Sequence, residues 1–97
     1  MPHRVYNESY EESRSRFVTL VTDHCQYDLV INYTSHFYGK ALILHLQTKR
    51  FGIFDIMEVC DLSLLVEKLG VVNLEDAQIV SDYLEDVMPT VYKTHEI

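Results

Sequence analysis

Cysteine, histidine and aspartate side chains are the residues of this 97-residue chain that could form a reactive site. Asp23, His24 and Cys25 are consecutive and supply the three residue types of a Cys-His-Asp nucleophile system, in which an imidazolium stabilises a thiolate. Neighbouring side chains on a strand point to opposite faces, so adjacent residues seldom cooperate in this way. We therefore expect no catalytic residues and interpret Cys25 as an inert, small apolar side chain.

Metal binding would need about four converging ligands, commonly provided as closely spaced Cys or His pairs. The sequence has no C-x-x-C and no H-x-x-x-H spacing, and its three glycines are isolated rather than clustered as in a phosphate-binding loop. We therefore expect no metal and no cofactor. The alternative hypothesis is a thiol or metal site formed by residues that meet only in the tertiary structure. Its members would be His24, Cys25, His45 and Cys60.

The composition is that of one small globular domain, since 47% of the residues are apolar and 24% are charged. The net charge is −7, and the excess lies in residues 55–97, which hold ten acidic and two basic residues. This acidity disfavours nucleic acids and anionic membranes as partners. Asp82, Glu85 and Asp86 lie on the polar side of a predicted helix and form an acidic face that would suit a basic protein partner.

No apolar run approaches the roughly 20 residues that a membrane-spanning helix requires. Residues 1–16 also lack the apolar core of a secretion signal. Two cysteines are too few for a disulfide-linked secreted scaffold, so both are expected to be thiols in a reducing compartment. The sequence therefore predicts a cytoplasmic protein.

Alternating apolar and polar residues predict four strands before residue 55, over 17–23, 27–33, 41–48 and 51–54. His45 falls on the face of its strand opposite Leu44 and Leu46, where a half-exposed histidine is expected. The short connections between these strands are typical of an antiparallel meander.

After Asp55 the apolar spacing becomes helical. Asp61 is placed to cap a helix over 62–69 and Gly70 to end it, while Asn73 caps a second helix that Pro89 is expected to end. We assign residues 1–15 to a polar N-terminal arm, 16–89 to a single α+β domain and 90–97 to a C-terminal tail.

Three stretches of the chain resemble a family of small Firmicute proteins of unknown function. They are RFVTLVTD, HFYGKALILHLQTKRFGI and LEDAQIVSDYLEDVM, and the resemblance covers residues 16–88. It implies a bacterial, cytoplasmic protein. It implies no particular chemistry, because none of the three stretches contains a catalytic motif.

These elements predict a two-layer α+β fold, with a four-stranded, mainly antiparallel sheet and two C-terminal helices packed on one of its faces. We expect the helices to cover the face that bears the larger apolar side chains. These are Leu29, Ile31, Leu42, Leu44 and Leu46.

Two short helices leave the other sheet face uncovered, which predicts a non-enzymatic, homodimeric protein-interaction or regulatory module. The dimer interface is expected to use that face and the aromatic turn beside it. Its predicted residues are Val18, Leu20, Val30, Tyr33, His36, Phe37, Tyr38 and Ile43. A competing interpretation has the N-terminal arm fold back and cover the face with Val5, Tyr6 and Tyr10.

Overall fold

A computed structural model describes the backbone of residues 4–95 and their side chains, except those of Ser35 and 89–95. The four strands are β1 (Arg14–Val21), β2 (Gln26–Tyr33), β3 (Ala41–His45) and β4 (Arg50–Phe54). They pair antiparallel in the order β1-β2-β3-β4. The helices α1 (Leu62–Leu69) and α2 (Leu74–His95) follow, so the predicted α+β class is confirmed. Among the described residues no helix is long and apolar enough to cross a membrane.

The helix ends confirm the predicted caps. The side chain of Asp61 accepts a hydrogen bond from the amide of Leu64 at 3.1 Å at the start of α1. Gly70 ends that helix with φ 73°, a left-handed conformation that glycine adopts without strain. Asn73 accepts a 2.7 Å hydrogen bond from the amide of Asp76 and caps α2. These signals are local, which is why the sequence was sufficient to locate them.

Pro89 does not end α2, because the helix continues to His95. A proline removes one backbone hydrogen bond and crowds the preceding turn, which weakens or kinks a helix without necessarily ending it. Residues 90–95 of the predicted tail are therefore helical in backbone, and residues 96 and 97 lie outside the described part of the chain.

The arm is shorter than predicted, since β1 begins at Arg14. Residues 4–13 form neither strand nor helix. Val5, Tyr6 and Tyr10 are 65–93% exposed, so the interpretation in which these side chains cover the open sheet face is wrong. The carboxylate of Glu11 instead lies 2.8 Å from Nε2 of His36. Residues 1–3 of the predicted arm lie outside the described residues.

The register of β2 and β3 decides which side chains enter the core. Tyr27, Leu29 and Ile31 face the helices, and Ile31 lies directly opposite Ile43, which is therefore also fully buried. The helices fill the same layer with apolar side chains. These are Leu65, Leu69, Ala77, Val80, Leu84, Val87 and Met88.

The prediction that the leucines of β3 face the helices is therefore wrong. Leu42 and Leu44 alternate with the buried Ala41 and Ile43, so they point away from the helices, and Leu46 just beyond the strand is 47% exposed. β3 is apolar on both faces, and a period of two cannot choose between two apolar faces. The register of its pairing with β2 determines which face of β3 is buried.

Candidate functional site

A fully buried carboxylate, Asp76, lies in the first turn of α2 beneath the β1–β2 turn. Tyr27 donates a hydrogen bond to it at 2.6 Å, Thr22 at 2.9 Å and the Nδ1 of His24 at 2.9 Å. The sulfur of Cys25 lies 3.9 Å from the same carboxylate. We call these five residues the Asp76 cluster.

Thr22 shapes the turn that carries these donors. Its hydroxyl oxygen accepts hydrogen bonds from the amides of His24 at 3.0 Å and Cys25 at 3.1 Å. Such a hydroxyl-to-backbone turn fixes the chain locally and directs two adjacent residues to one partner. Asp76 therefore holds the hairpin end and the start of α2 together.

The charges in the cluster are arranged to keep Asp76 ionised. Burial opposes its ionisation, but hydrogen bonds from Tyr27, His24 and Thr22 outweigh burial and hold the pKa of Asp76 below its ordinary value. The start of α2 also favours a negative charge through the helix dipole. The hydrogen bond to Asp76 in turn raises the pKa of His24 above its ordinary value. Charge-assisted hydrogen bonds to Asp76 thus hold the site together.

The consecutive residues Asp23, His24 and Cys25 do not form the nucleophile system that their types suggested. His24 and Cys25 both reach Asp76 of α2, and the charged group beside the Cys25 sulfur is a carboxylate, whereas a thiolate needs a neighbouring cation. This arrangement is typical of a structural network.

The four residues of the thiol or metal hypothesis do not converge. Cys60 lies 3.1 Å from Glu85, nine residues beyond Asp76 on α2, which corresponds to about 13 Å along the helix axis from the contact of Cys25. His45 donates through Nδ1 to the carbonyl of Leu69 at 2.7 Å. Within the described residues, no three His, Cys, Asp or Glu side chains are arranged to hold a metal ion.

His45 is buried rather than half-exposed, with only 3% of its surface accessible. Its ring lies against that of Tyr27, with centroids 5.1 Å apart. The carbonyl at the end of α1 accepts a hydrogen bond from Nδ1, whereas the buried Nε2 has no hydrogen-bond partner among the described residues. The sequence contains no local sign of this partner, which lies 24 residues away.

The second candidate site is the sheet surface that no described helix covers, which we call the open face. Directly opposite residues in antiparallel strands share a face, so a row runs across the sheet through Phe17, Val30, Leu44 and Phe51. Phe17 is 76% exposed and Phe51 63% exposed. Two large aromatic side chains therefore border an apolar row in contact with solvent.

The open face carries almost no charge. Asp28 is the one ionisable residue among its strand positions, and it accepts hydrogen bonds from Thr19 at 2.6 Å and Gln47 at 2.6 Å. These contacts, led by the bond from Thr19, hold the pKa of Asp28 below its ordinary value. The carboxylate is thus satisfied without a partner's cation, and the rest of the face is available for apolar contact.

The structure separates the predicted interface residues into three groups. Val30 lies on the open face. Val18, Leu20, Tyr33 and Ile43 lie on the side of the helices, and Ile43 is a fully buried core residue, so placing Val18, Leu20 and Ile43 on the uncovered face was wrong. The strand register accounts for this error, because it places these three residues opposite the buried residues of β2. His36, Phe37 and Tyr38 lie in the β2–β3 turn, where Tyr38 is 92% exposed.

The predicted acidic face is exposed on α2 but is engaged within the chain. Asp82 accepts a hydrogen bond from Gln78 at 2.7 Å, and Glu85 contacts Cys60. Asp86 also has an interaction partner. These contacts are typical of a solvated helix surface.

Fold and surface together define a small two-layer α+β protein with one covered and one open sheet face. The chain belongs to the SAV0927-like family, whose family model matches residues 5–86. The resemblance seen in the sequence is thereby confirmed at the level of a family whose name describes no activity. No curated protein matches the chain significantly.

Sequence reasoning missed Asp76, Thr22 and Tyr27 as members of one cluster. A signal was present, because Asp76, Val80 and Leu84 are spaced four residues apart and share one side of α2. An acidic residue in an apolar stripe must find buried donors. Which donors it finds depends on the tertiary fold.

Proposed function

We propose that the protein is a non-enzymatic protein-interaction module that works as a homodimer, with the open faces of two copies stacked on each other. The observation that carries this proposal is the apolar row bordered by the exposed rings of Phe17 and Phe51. Exposed contiguous apolar surface of this kind marks interaction sites in small proteins.

A second copy is the partner that the charges favour. The open face offers one internally satisfied carboxylate, so it provides no acidic patch for a basic partner and no cation for an acidic one. A neutral apolar face is best matched by another neutral apolar face, and a two-fold axis supplies one. The exposed acids of α2 lie in the opposite layer, so stacking keeps them apart by more than a Debye length of about 8 Å.

The size of the open face predicts a weak dimer. Four strands about 4.8 Å apart, with five to eight residues of about 3.3 Å each, give a face of roughly 20 by 20 Å. This is at the lower limit of specific interfaces, so we expect a dissociation constant in the micromolar range.

We propose that the protein acts in the cytoplasm of a Firmicute bacterium. The resemblance of the three sequence stretches supports it, as do two thiols that contact carboxylates rather than each other.

Sedimentation equilibrium between about 5 and 500 µM tests the dimer. Phe51→Glu places a charge on the open face and should raise the dissociation constant at least tenfold, a loss of about 1.4 kcal/mol. Ile79→Glu is the matched control, because Ile79 is a partly exposed apolar residue of α2 in the other layer. A monomeric wild type, or equal association of both variants, would contradict the proposal.

A further inference from the structure

The β1 strand forms an edge of the sheet, and beyond Arg14 and Arg16 at its start it lacks the usual protection against pairing. β1 has eight residues and β2 on one side only, with no further described strand beyond it. From Phe17 to Val21 it contains no charge, proline or glycine, and these are the devices that keep natural edges unpaired. The other edge, β4, has five residues and includes Arg50 and Gly52.

We propose that the β1 edge pairs antiparallel with β1 of another copy and forms a continuous eight-stranded sheet. This interface is independent of the open face and does not rest on the proposed function. Its partner is again this chain, bound through backbone hydrogen bonds as in strand addition.

Symmetry restricts the register of such a pair. The two-fold axis is perpendicular to the sheet and preserves its faces, so it must pass between identical residues of the two strands. Centring it on Thr19 places Phe17 opposite the partner's Val21 on the open face. It also places Val18 opposite the partner's Leu20 on the helix side, so each apolar residue of the edge meets another.

The charges at the two ends of β1 favour the antiparallel direction. Arg14 and Arg16 occupy the start of the strand, whereas Asp23 follows its end and Glu75 lies near enough to affect the ring of His24. In the register centred on Thr19, the partner's Asp23 falls level with Ser15, between Arg14 and Arg16. The partner's His24 falls level with Arg14, and its ring is bound to Asp76 of its own chain. Parallel pairing would place arginines beside arginines, which is unfavourable.

The two interfaces are geometrically compatible. Stacking of the open faces uses an axis that lies between the sheets, and edge pairing uses an axis perpendicular to them. Two perpendicular two-fold axes generate a closed tetramer only if they intersect, as they do when the stacking axis passes over Thr19 at the β1 edge; axes that do not intersect generate an open fibre. With intersecting axes, saturation of both contacts gives an assembly of four copies.

Disulfide trapping tests the edge pair at residue resolution. Thr19→Cys is made in a Cys25→Ala, Cys60→Ala, Phe51→Glu background, which removes the natural thiols and the open-face contact. Paired Thr19 positions place their Cα atoms about 4.5 to 5.5 Å apart, within the range that a disulfide spans. Mild oxidation should therefore convert most of the protein to a covalent dimer.

Phe17→Cys in the same background is the matched control on the same strand and face. In the proposed register its Cα lies about 14 Å from that of the identical residue of the partner, beyond the reach of a disulfide. Circular dichroism establishes that both variants are folded. A folded Thr19→Cys variant that stays monomeric, or equal cross-linking of both variants, would overturn the edge pair whatever the fate of the open-face dimer.

Discussion

The hydroxyl of Tyr27 donates a 2.6 Å hydrogen bond to Asp76, and both residues are fully buried. The same hydroxyl accepts a hydrogen bond from the amide of Val72 at 3.2 Å. Burial, reinforced by the bond to Asp76, raises the pKa of Tyr27 well above its ordinary value, so the phenol remains a donor at every relevant pH. One neutral hydroxyl thus joins the centre of the sheet to the segment that opens α2.

Asp76→Ala should lower the free energy of unfolding by about 2 to 4 kcal/mol, because it leaves the buried donor of Tyr27 and the partly buried donor of Thr22 without their charged acceptor. Urea denaturation measures the loss. Asp82→Ala is the control, since Asp82 is an exposed aspartate of the same helix, and its cost should stay within about 0.5 kcal/mol. Similar values for the two variants would contradict a central role of the Asp76 cluster.

The bond between His24 and Asp76 should make stability depend on pH in a defined direction. The pKa of His24 is raised by folding, so its charge stabilises the fold fully below its unfolded pKa of about 6.5 and ceases to do so as pH rises through the folded value. The pKa of Asp76 is lowered, so its contribution is present above about 3.9 and is lost as pH falls through the folded value.

His24→Asn separates the charge from the hydrogen bond, because the amide can still donate while remaining neutral. Urea denaturation at pH 5 and pH 9 should show a larger advantage of the wild type at pH 5. A difference between the two proteins that is the same at both pH values would show that the His24 charge adds nothing.

Ile43→Ala should cost about 2 to 5 kcal/mol, since Ile43 is fully buried between the sheet and the helices. Leu44→Ala removes its neighbour on the open face, where the side chain is only partly buried, and should cost less than half as much in dilute solution. The comparison is made by thermal denaturation. A larger loss of stability for Leu44→Ala than for Ile43→Ala would instead support the face of β3 that bears the leucines as the core face.

Lys49→Gly should stabilise the protein by roughly 0.5 to 1 kcal/mol, because Lys49 has φ 61° and glycine adopts this left-handed conformation without the Cβ penalty. Lys49→Ala is the control, since it removes the charge and the long side chain but keeps the Cβ. Calorimetric melting temperatures should rise for the glycine variant alone. A rise for both would assign the effect to the side chain rather than to the backbone.

Features encoded within a few residues could be predicted from the sequence. Asp61, Gly70 and Asn73 mark helix ends through bonds that span four residues or fewer, and the structure confirms each of them. The antiparallel meander follows in the same way from short connections. Pro89 was the exception, because one missing hydrogen bond did not outweigh the continuation of the helix on both sides.

Features that depend on register or distant partners could not be predicted. Leu44 and Ile43 are both good core residues, and only the pairing of Ile43 with Ile31 decides between them. His45 required the carbonyl of Leu69, and Asp76 required donors from a hairpin about 50 residues earlier. Composition reveals that such groups need partners but does not identify them.

The contact between Thr22 and Asp76 spans 54 positions of the chain, and this separation has a consequence for biosynthesis. A ribosome adding about 5 to 20 residues per second releases the β1–β2 hairpin several seconds before the start of α2. During that interval the nascent hairpin has its strands but neither its anion nor its helical cover, and its apolar side chains are accessible on both faces. Translation speed over the intervening segment therefore sets how long the growing chain is open to chaperones or to a neighbouring nascent copy.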